Sequence, residues 1–348
     1  MPDQWMIYGA TGYTGALIAR EAVRQGLKPM LAGRSESVAA IADELNLEYR
    51  IFPLKESAAV RQGLEGMRLV LLTAGPFSGT SAPVVQGCLD QGCHYLDITG
   101  EIDVFEAVFA RDAEARDRKV ALCPGVGFDV IPTDCVAAVL ADALPDAHVL
   151  RLGFESHSGF SPGTAKTSVE GFAGGGRVRR NGRIQRVPLG YKFEQIDFGD
   201  GPRLGVTIPW GDVSSAYYTT GIPNIETYIP ILPRNARRLM VANWIRPLAA
   251  LRPVQALMKM RAGKVRGPDE AKRSRNPGYV WGDVRNKKNE LRTARVVTAN
   301  GYDLTIHGSL AVVRHLLENP AAGAFTPSRL MGSDLVSRLP GSGQIEIE

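Results

Sequence analysis

The 348-residue chain has only four cysteines, no long apolar run and, over one stretch, very few acidic residues. Cys88, Cys93, Cys123 and Cys135 follow no zinc-binding spacing, and no histidine pair accompanies them at ligand spacing. They read as small buried side chains in a reducing cytosol, and no metal site is expected. No stretch reaches the roughly 18 consecutive apolar residues of a transmembrane helix. No basic region or apolar leader precedes the strand expected at Trp5, so a secretory signal is not expected. The shortage of acidic residues is local: positions 234–295 hold 17 Lys/Arg against 4 Asp/Glu. That balance of +13 leaves −8 for the remainder of a chain whose net charge is +5. The length implies two domains, each able to bury a core.

What is present begins at the N-terminus. Trp5-Met-Ile-Tyr8 reads as a buried strand, Gly9-Ala10-Thr11-Gly12-Tyr13-Thr14-Gly15 as a loop, and Ala16 to Gln25 as a helix ended by Gly26. Strand, glycine loop and helix together form a nucleotide-binding context, although the spacing is G-x-x-G-x-x-G rather than G-x-G-x-x-G. Glycine lets a pyrophosphate approach the backbone, and a helix start offers unpaired N–H groups and the positive end of its dipole. A structural turn without a ligand is the bland alternative.

The next hundred residues alternate in the same manner. Strands are expected at Lys28–Ala32, Tyr49–Phe52, Leu69–Thr73, His94–Thr99 and Val120–Cys123. Helices are expected at Val38–Leu45, Ser81–Gln91 and Ile102–Arg118. The pattern predicts an α/β domain over 1–125, with a Rossmann-type, doubly wound parallel sheet whose ligands sit at the carboxyl ends of the strands. That rule selects the loops 9–15, 33–35, 74–79 and 99–101. At the end of the second strand, Gly33-Arg34-Ser35 places a guanidinium where NAD-binding chains carry an acid. Its donor fork suits a 2′-phosphate, so NADP(H) is favoured over NAD(H); a solvated surface arginine is the alternative. Ala74-Gly75-Pro76-Phe77 makes a stiff turn that either packs against ribose or nicotinamide or is only a turn. Asp129, ahead of a helix with Pro132 in its first turn, is either a helix cap or a group that orients substrate or relays a proton.

From about 148 the alternation stops. Val149–Phe154, Val187–Phe198, Arg203–Ile208 and Glu226–Ile229 read as strands of an α+β second domain over 126–300 with a mostly antiparallel sheet. Ser161 to Thr167 opens a helical stretch that ends in Gly174–Gly176, and it is either an N-capped helix or a polar helix start with Lys166 facing the cofactor cleft. Trp210–Asp212 and Tyr217–Asn224 either line a pocket or shape a sheet edge. The stretch 236–266 interleaves apolar residues with cations and admits three readings. These are a helical pair packed on its own domain or a partner subunit such as a second copy, an interfacial membrane contact, and a dock for an acyl-carrier protein or acyl-coenzyme A. Nucleic acid is not expected, because no recognised module is visible. Lys264–Lys288 is the candidate mobile loop. In 301–348 a strand at Gly301–His307, a helix at Ser309–Leu317 and a loop-like tail from Pro327 are expected, returning toward the domain interface.

Taken together, these blocks resemble the saccharopine dehydrogenase-like oxidoreductases. The resemblance rests on Tyr8 to Gly15, Ala32-Gly-Arg34, Ala74 to Phe77, Tyr95-Leu-Asp-Ile-Thr-Gly-Glu101 and Pro124-Gly-Val-Gly-Phe-Asp129. Gly163-Thr-Ala165, Ile208 to Asp212 and Thr220 to Glu226 resemble the branch containing trans-acting enoyl reductases. The resemblance implies an NADP-dependent oxidoreductase, with Gly9, Thr11, Gly12 and Gly15 at the phosphates and Arg34 at the 2′-phosphate. It points to a small-molecule, acyl or lipid-like substrate whose C=C bond is reduced in a cleft between the domains. An amino-acid-linked imine reductase is the other enzymatic reading. A non-catalytic NADP(H)-binding membrane-associated or assembly protein is the reading of a different class. A cytoplasmic location, with or without peripheral membrane contact, accords with all three.

Overall fold

The structure is a computed structural model that describes residues 4–156, 174–249, 251–262, 267–269 and 275–348, with the single positions 163, 169, 171 and 273. Lys166, and most of the helix expected around it, lie outside the described residues.

The chain forms two compact units, and neither is continuous in sequence. The first comprises Met1–Asp129 and Tyr302–Met331, the second Val130–Gly301 and Gly332–Glu348. The block 301–348 therefore does not stay together: its helix joins the first unit and its last residues join the second.

In chain order the first unit runs β1 (Trp5–Tyr8), α1 (Tyr13–Arg24), β2 (Met30–Gly33), α2 (Ser37–Leu45), β3 (Tyr49–Ile51), α3 (Ser57–Leu64), β4 (Leu69–Leu72), α4 (Phe77–Gln91), β5 (His94–Asp97), α5 (Ile102–Phe109), α6 (Asp112–Asp117) and β6 (Ala121–Cys123). The chain then builds the second unit with α7 (Ile131–Ala143), β7 (Ala147–Ser156), β8 (Gly176–Arg180), β9 (Arg183–Val187), β10 (Phe193–Asp197), β11 (Pro202–Ile208), α8 (Asp212–Thr220), β12 (Asn224–Pro230), α9 (Pro233–Ala249), α10 (Arg252–Ala262), β13 (Gly278–Asn286) and β14 (Leu291–Thr298). It returns to the first unit for α11 (Gly301–Glu318), β15 (Gly323–Ala324) and α12 (Pro327–Met331), and ends with α13 (Leu335–Arg338) and β16 (Glu346–Ile347).

The first sheet has seven strands in the order β15-β6-β5-β4-β1-β2-β3, every pairing parallel. Every residue of β1 and β4 is buried, as expected of strands covered on both faces. The core joins Ile7, Leu71 and Leu96 of the sheet to Ile18 and Ala22 of α1, and to Leu310 and Val313 of α11.

Four expectations are corrected in this unit. α3 was not anticipated, because Ser-Ala-Ala-Val-Arg-Gln-Gly-Leu carries little periodic signal. It is held by close packing, since a Cβ on Gly63 would lie 2.5 Å from the Phe52 ring. The single helix expected over Ile102–Arg118 is two, and Asp112 at the start of α6 accepts the Ala324 N–H at 2.8 Å. α4 begins at Phe77 rather than Ser81, because a distant side chain, Glu101, accepts its first N–H groups. Gly301–His307 is helix and not strand. Tyr302, Leu304 and Ile306 alternate over a short window, but Ile306, Leu310, Val313 and Leu317 follow a helical period, and much of α11 is buried.

The second unit is a mixed, mostly antiparallel sheet in the order β10-β11-β12-β7-β13-β14-β16, with β8 and β9 attached beside β12. Only β7 and β12 pair in parallel. One face is covered by α7: a Cβ on Gly282 would lie 2.8 Å from Val136 and 3.0 Å from Leu140. Three further expectations are corrected here. The strand expected over Val187–Phe198 is two, β9 and β10, separated around Gly190 in the left-handed region at φ 64°. The candidate mobile loop Lys264–Lys288 contains β13, which pairs with both β7 and β14. Its charges obscured it, because Asp283 is buried against Arg151 instead of solvated. The tail from Pro327 is not loop throughout but contributes α12, α13 and β16.

Candidate nucleotide site of the first unit

The loop between β1 and α1 is fixed by contacts that leave no room for side chains at two positions. The Gly9 N–H donates to the Ala32 carbonyl at 2.8 Å, and its φ of 98° suits glycine. A Cβ there would lie 2.7 Å from the Ala74 nitrogen, and one on Gly15 would lie 2.4 Å from the Gly9 carbonyl and 2.6 Å from Thr73 Oγ1. The Thr73 hydroxyl in turn donates to the Tyr8 carbonyl at 3.1 Å. Gly9 and Gly15 are thus demanded by packing.

Gly12 is different. It is exposed, its φ and ψ of −71° and 159° suit any residue, and a Cβ there would meet only the Gly9 carbonyl, at 3.2 Å. Folding asks little of glycine here, so a ligand approaching the backbone accounts for it better. Gly12 is the N-cap of α1, with no side-chain cap and no acid in the first turn. The helix start therefore keeps its positive end open to an anion. Thr11 is exposed beside it, and Tyr13 and Thr14 are half-buried, while Ala10 is buried in the core. Tyr13 packs edge-on against Tyr302, with centroids 5.1 Å apart.

The loop after β4 is arranged the opposite way. Glu101 accepts the N–H groups of Phe77 and Ser78, both at 2.8 Å, so a carboxylate of the chain itself occupies the start of α4. The Thr80 hydroxyl donates to the Ala74 carbonyl at 2.6 Å. Ala74 and Pro76 are half-buried, Gly75 is exposed, and Phe77 is turned into the interior. The segment presents a stiff wall rather than an anion cradle. Sequence reading did not foresee the role of Glu101. Its only signal was an acid just after a strand end.

Arg34 is exposed directly after Gly33, the last residue of β2, and among the described residues it makes no salt bridge. Burial raises the Tyr8 phenol to about 12, and the positive charge of Arg34 works against that rise, so the guanidinium stands near β1. The Ser35 and Ser37 hydroxyls are 2.9 Å apart alongside. A cation and two hydroxyls beside an open helix start have the donor chemistry to hold a phosphorylated ribose.

Under the strand ends lies Asp97, fully buried. It accepts the Tyr95 hydroxyl at 2.5 Å and the N–H groups of Thr99 and Gly125 at 2.9 Å each, tying together the loops after β5 and β6. Burial raises its carboxyl to about 6, and these hydrogen bonds offset only part of that rise. The folded chain therefore holds this proton more tightly than the unfolded chain. That contribution is complete below about pH 4 and is lost as pH rises through about 6, a change on the order of 3 kcal/mol. Asp97→Asn should flatten the pH dependence of stability across this window, as urea midpoints measured from acid to neutral pH would report.

Asp129 ends the loop after β6. The Phe128 N–H of that loop donates to Thr305 Oγ1 at 3.0 Å. Asp129 is half-buried, and desolvation pushes its carboxyl up to about 7. The N-cap of α7 is Val130, which offers no side-chain cap, so the capping position does not fall on Asp129.

In the second unit, Trp210–Asp212 lead into α8, which carries Tyr217 and Tyr218 as an edge-on pair at 5.8 Å. The sheet holds a charged cavity of about 430 Å³. There Arg151 pairs with Asp283 and Glu194, while Arg180 and Lys192 converge on Glu226. Burial opposes the charge of Glu226, but hydrogen bonds from Lys192, Tyr228 and Arg180 outweigh it and keep its pKa low. Its charges answer one another, as in a structural ion network. Among the described residues no cluster of His, Cys, Asp and Glu could hold a metal.

An all-parallel sheet with an open glycine-lined helix start and a cation after the second strand defines a dinucleotide-binding domain. More narrowly, residues 5–123 match the family described as the saccharopine dehydrogenase NADP binding domain. A putative trans-acting enoyl reductase of Mycobacterium tuberculosis is 30% identical over 182 residues, covering 47% of this chain and 43% of that protein. The saccharopine dehydrogenase-like oxidoreductase of Homo sapiens is 25% identical over 218 residues, covering 54% and 51%. The chain thus spans about half or less of the length of these relatives. Apo saccharopine dehydrogenase (L-Glu forming) from Saccharomyces cerevisiae shares the fold, with a TM-score of 0.59, 10% identity and 99% of both chains covered.

Proposed function

We propose that the protein is an NADP(H)-dependent oxidoreductase that reduces the C=C bond of an acyl or lipid-like enoyl substrate. The observation that carries this reading is the contrast between two helix starts: α1 is open behind Gly12, whereas α4 is closed by Glu101. The trans-acting enoyl reductase relatives support the substrate class.

In this reading the positive end of α1 around Thr11 to Tyr13 holds the pyrophosphate, and Arg34 with Ser35 orients the 2′-phosphate. Ala74 to Phe77 wall the site, fastened by Glu101 and Thr80. The bound NADPH supplies hydride. Asp129, with a carboxyl at about 7, is suited to hold or pass a proton near neutral pH.

The test is NADPH oxidation with 2-enoyl thioesters, run beside a nicotinamide-fluorescence titration. NADPH binding with enoyl turnover is the expected result. Binding with turnover only of imines overturns the substrate class, and failure to bind either nucleotide overturns the reading altogether. Asp129→Asn should keep NADPH affinity but lower turnover on the order of 100-fold and remove the pH limb near neutrality. An unchanged pH–rate profile would take Asp129 out of the proton path.

A further inference from the structure

We propose that α9 and α10 dock the protein on an anionic membrane surface, lying in the plane of the headgroups. Of the thirteen large apolar side chains exposed among the described residues, seven fall between Leu232 and Met260. Trp244 is 88% exposed and Val241 63%. The residues 233–262 include seven Lys/Arg and no Asp or Glu.

The orientation of α9 shows that this exposure has a direction. Asn243 donates to the Leu189 carbonyl at 2.9 Å and accepts its N–H at 2.8 Å. Leu239, one turn earlier, lies against Gly190, and Arg246, on the same stripe, donates to the Gly174 carbonyl at 3.2 Å. Leu239, Asn243 and Arg246 therefore form the docked side. At 100° per residue the opposite stripe is Arg237, Met240, Val241 and Trp244, all exposed. Leu257, Met260 and Arg261 repeat the exposed apolar–cation mixture on α10.

Charge narrows the occupant. A second copy meeting this face through a two-fold axis would set cation against cation, with no carboxylate in either helix to pair them. Trp, Met and Arg are also common at protein–protein interfaces, but a protein seated here would have to bring its own carboxylates for the arginines interleaved with the apolar stripe. A bilayer boundary accepts that mixture: Trp and Met enter the acyl margin while guanidinium groups meet lipid phosphates. No helix among the described residues is long and apolar enough to cross a membrane.

The test is sedimentation of the full chain with phosphatidylcholine vesicles, with and without about one-third phosphatidylglycerol. The expected result is binding to the anionic vesicles alone, released by salt. Tryptophan emission should shift to the blue on binding, and Trp244→Ser should lose most of that shift. The other three tryptophans are Trp5 and Trp281, both buried, and Trp210, half-buried. The triple variant Arg234→Gln, Arg237→Gln, Arg238→Gln should bind on the order of 100-fold more weakly, at about fivefold per cation near the surface. These residues are exposed, so melting temperature and NADPH titration should match wild type. That check separates this proposal from the catalytic one. Wild-type chain that stays with the supernatant, binding that ignores lipid charge, or a triple variant that binds like wild type overturns it. So does a wild-type dimer in buffer that Trp244→Ser converts to monomer, since a second copy would then cover the face.

Discussion

Gly15→Ala and Gly12→Ala will damage the protein in opposite ways. At Gly15 the new methyl meets the Gly9 carbonyl at 2.4 Å and Thr73 Oγ1 at 2.6 Å. Neither neighbour can retreat freely, since Gly9 is bonded to Ala32 and Thr73 to Tyr8. Overpacking of this kind costs about 2–3 kcal/mol, which lowers the melting temperature by roughly 5–10 °C. At Gly12 the methyl has only the Gly9 carbonyl to avoid, at 3.2 Å, and points otherwise toward solvent. Stability should move by no more than roughly 0.5 kcal/mol. The NADPH complex should instead weaken on the order of 10- to 100-fold, because the pyrophosphate is kept from the helix start. Thermal melting and fluorescence titration of both variants check the pair. Equal loss of stability in both would assign Gly12 to folding and remove the ligand argument.

The second large effect is expected at Arg34. Arg34→Ala should weaken NADPH by roughly 10- to 100-fold, the value of a charge-assisted contact with phosphate, and leave NADH nearly unchanged. The residue has no structural partner to lose: it is exposed and forms no salt bridge among the described residues. A change in nucleotide preference without a change in melting temperature is therefore the signature. An Arg34→Ala variant that still prefers NADPH would assign the 2′-phosphate to other groups.

Much of the first unit was legible because its signals are local. β1 and β4 are apolar runs bounded by glycine or proline, and the alternation with helices dictates a parallel sheet. What could not be read depends on residues far apart in sequence. The true start of α4 depends on Glu101, the split of α5 from α6 coincides with the Asp112–Ala324 bond, and β13 owes its buried Asp283 to Arg151. The helix α11 was misread because a seven-residue window of alternating residues outweighed a period visible only over eighteen. At the site, the glycines, Arg34 and the wall Ala74–Phe77 were nameable from spacing. The difference between Gly12 and its two neighbours was not, since it rests on what a side chain would strike.

The discontinuity of the first unit has a consequence for synthesis. When the ribosome has made residues up to Asp129, six strands exist, but the sheet still lacks β15 and the core lacks Leu310 and Val313. About 170 further residues must emerge before α11 can cover that surface. The nascent nucleotide-binding unit therefore waits with apolar surface exposed, and β6 waits as an unprotected edge. Completion of the first unit is thereby timed by translation of the second, and α11, coming late in the chain, closes a fold begun at the N-terminus.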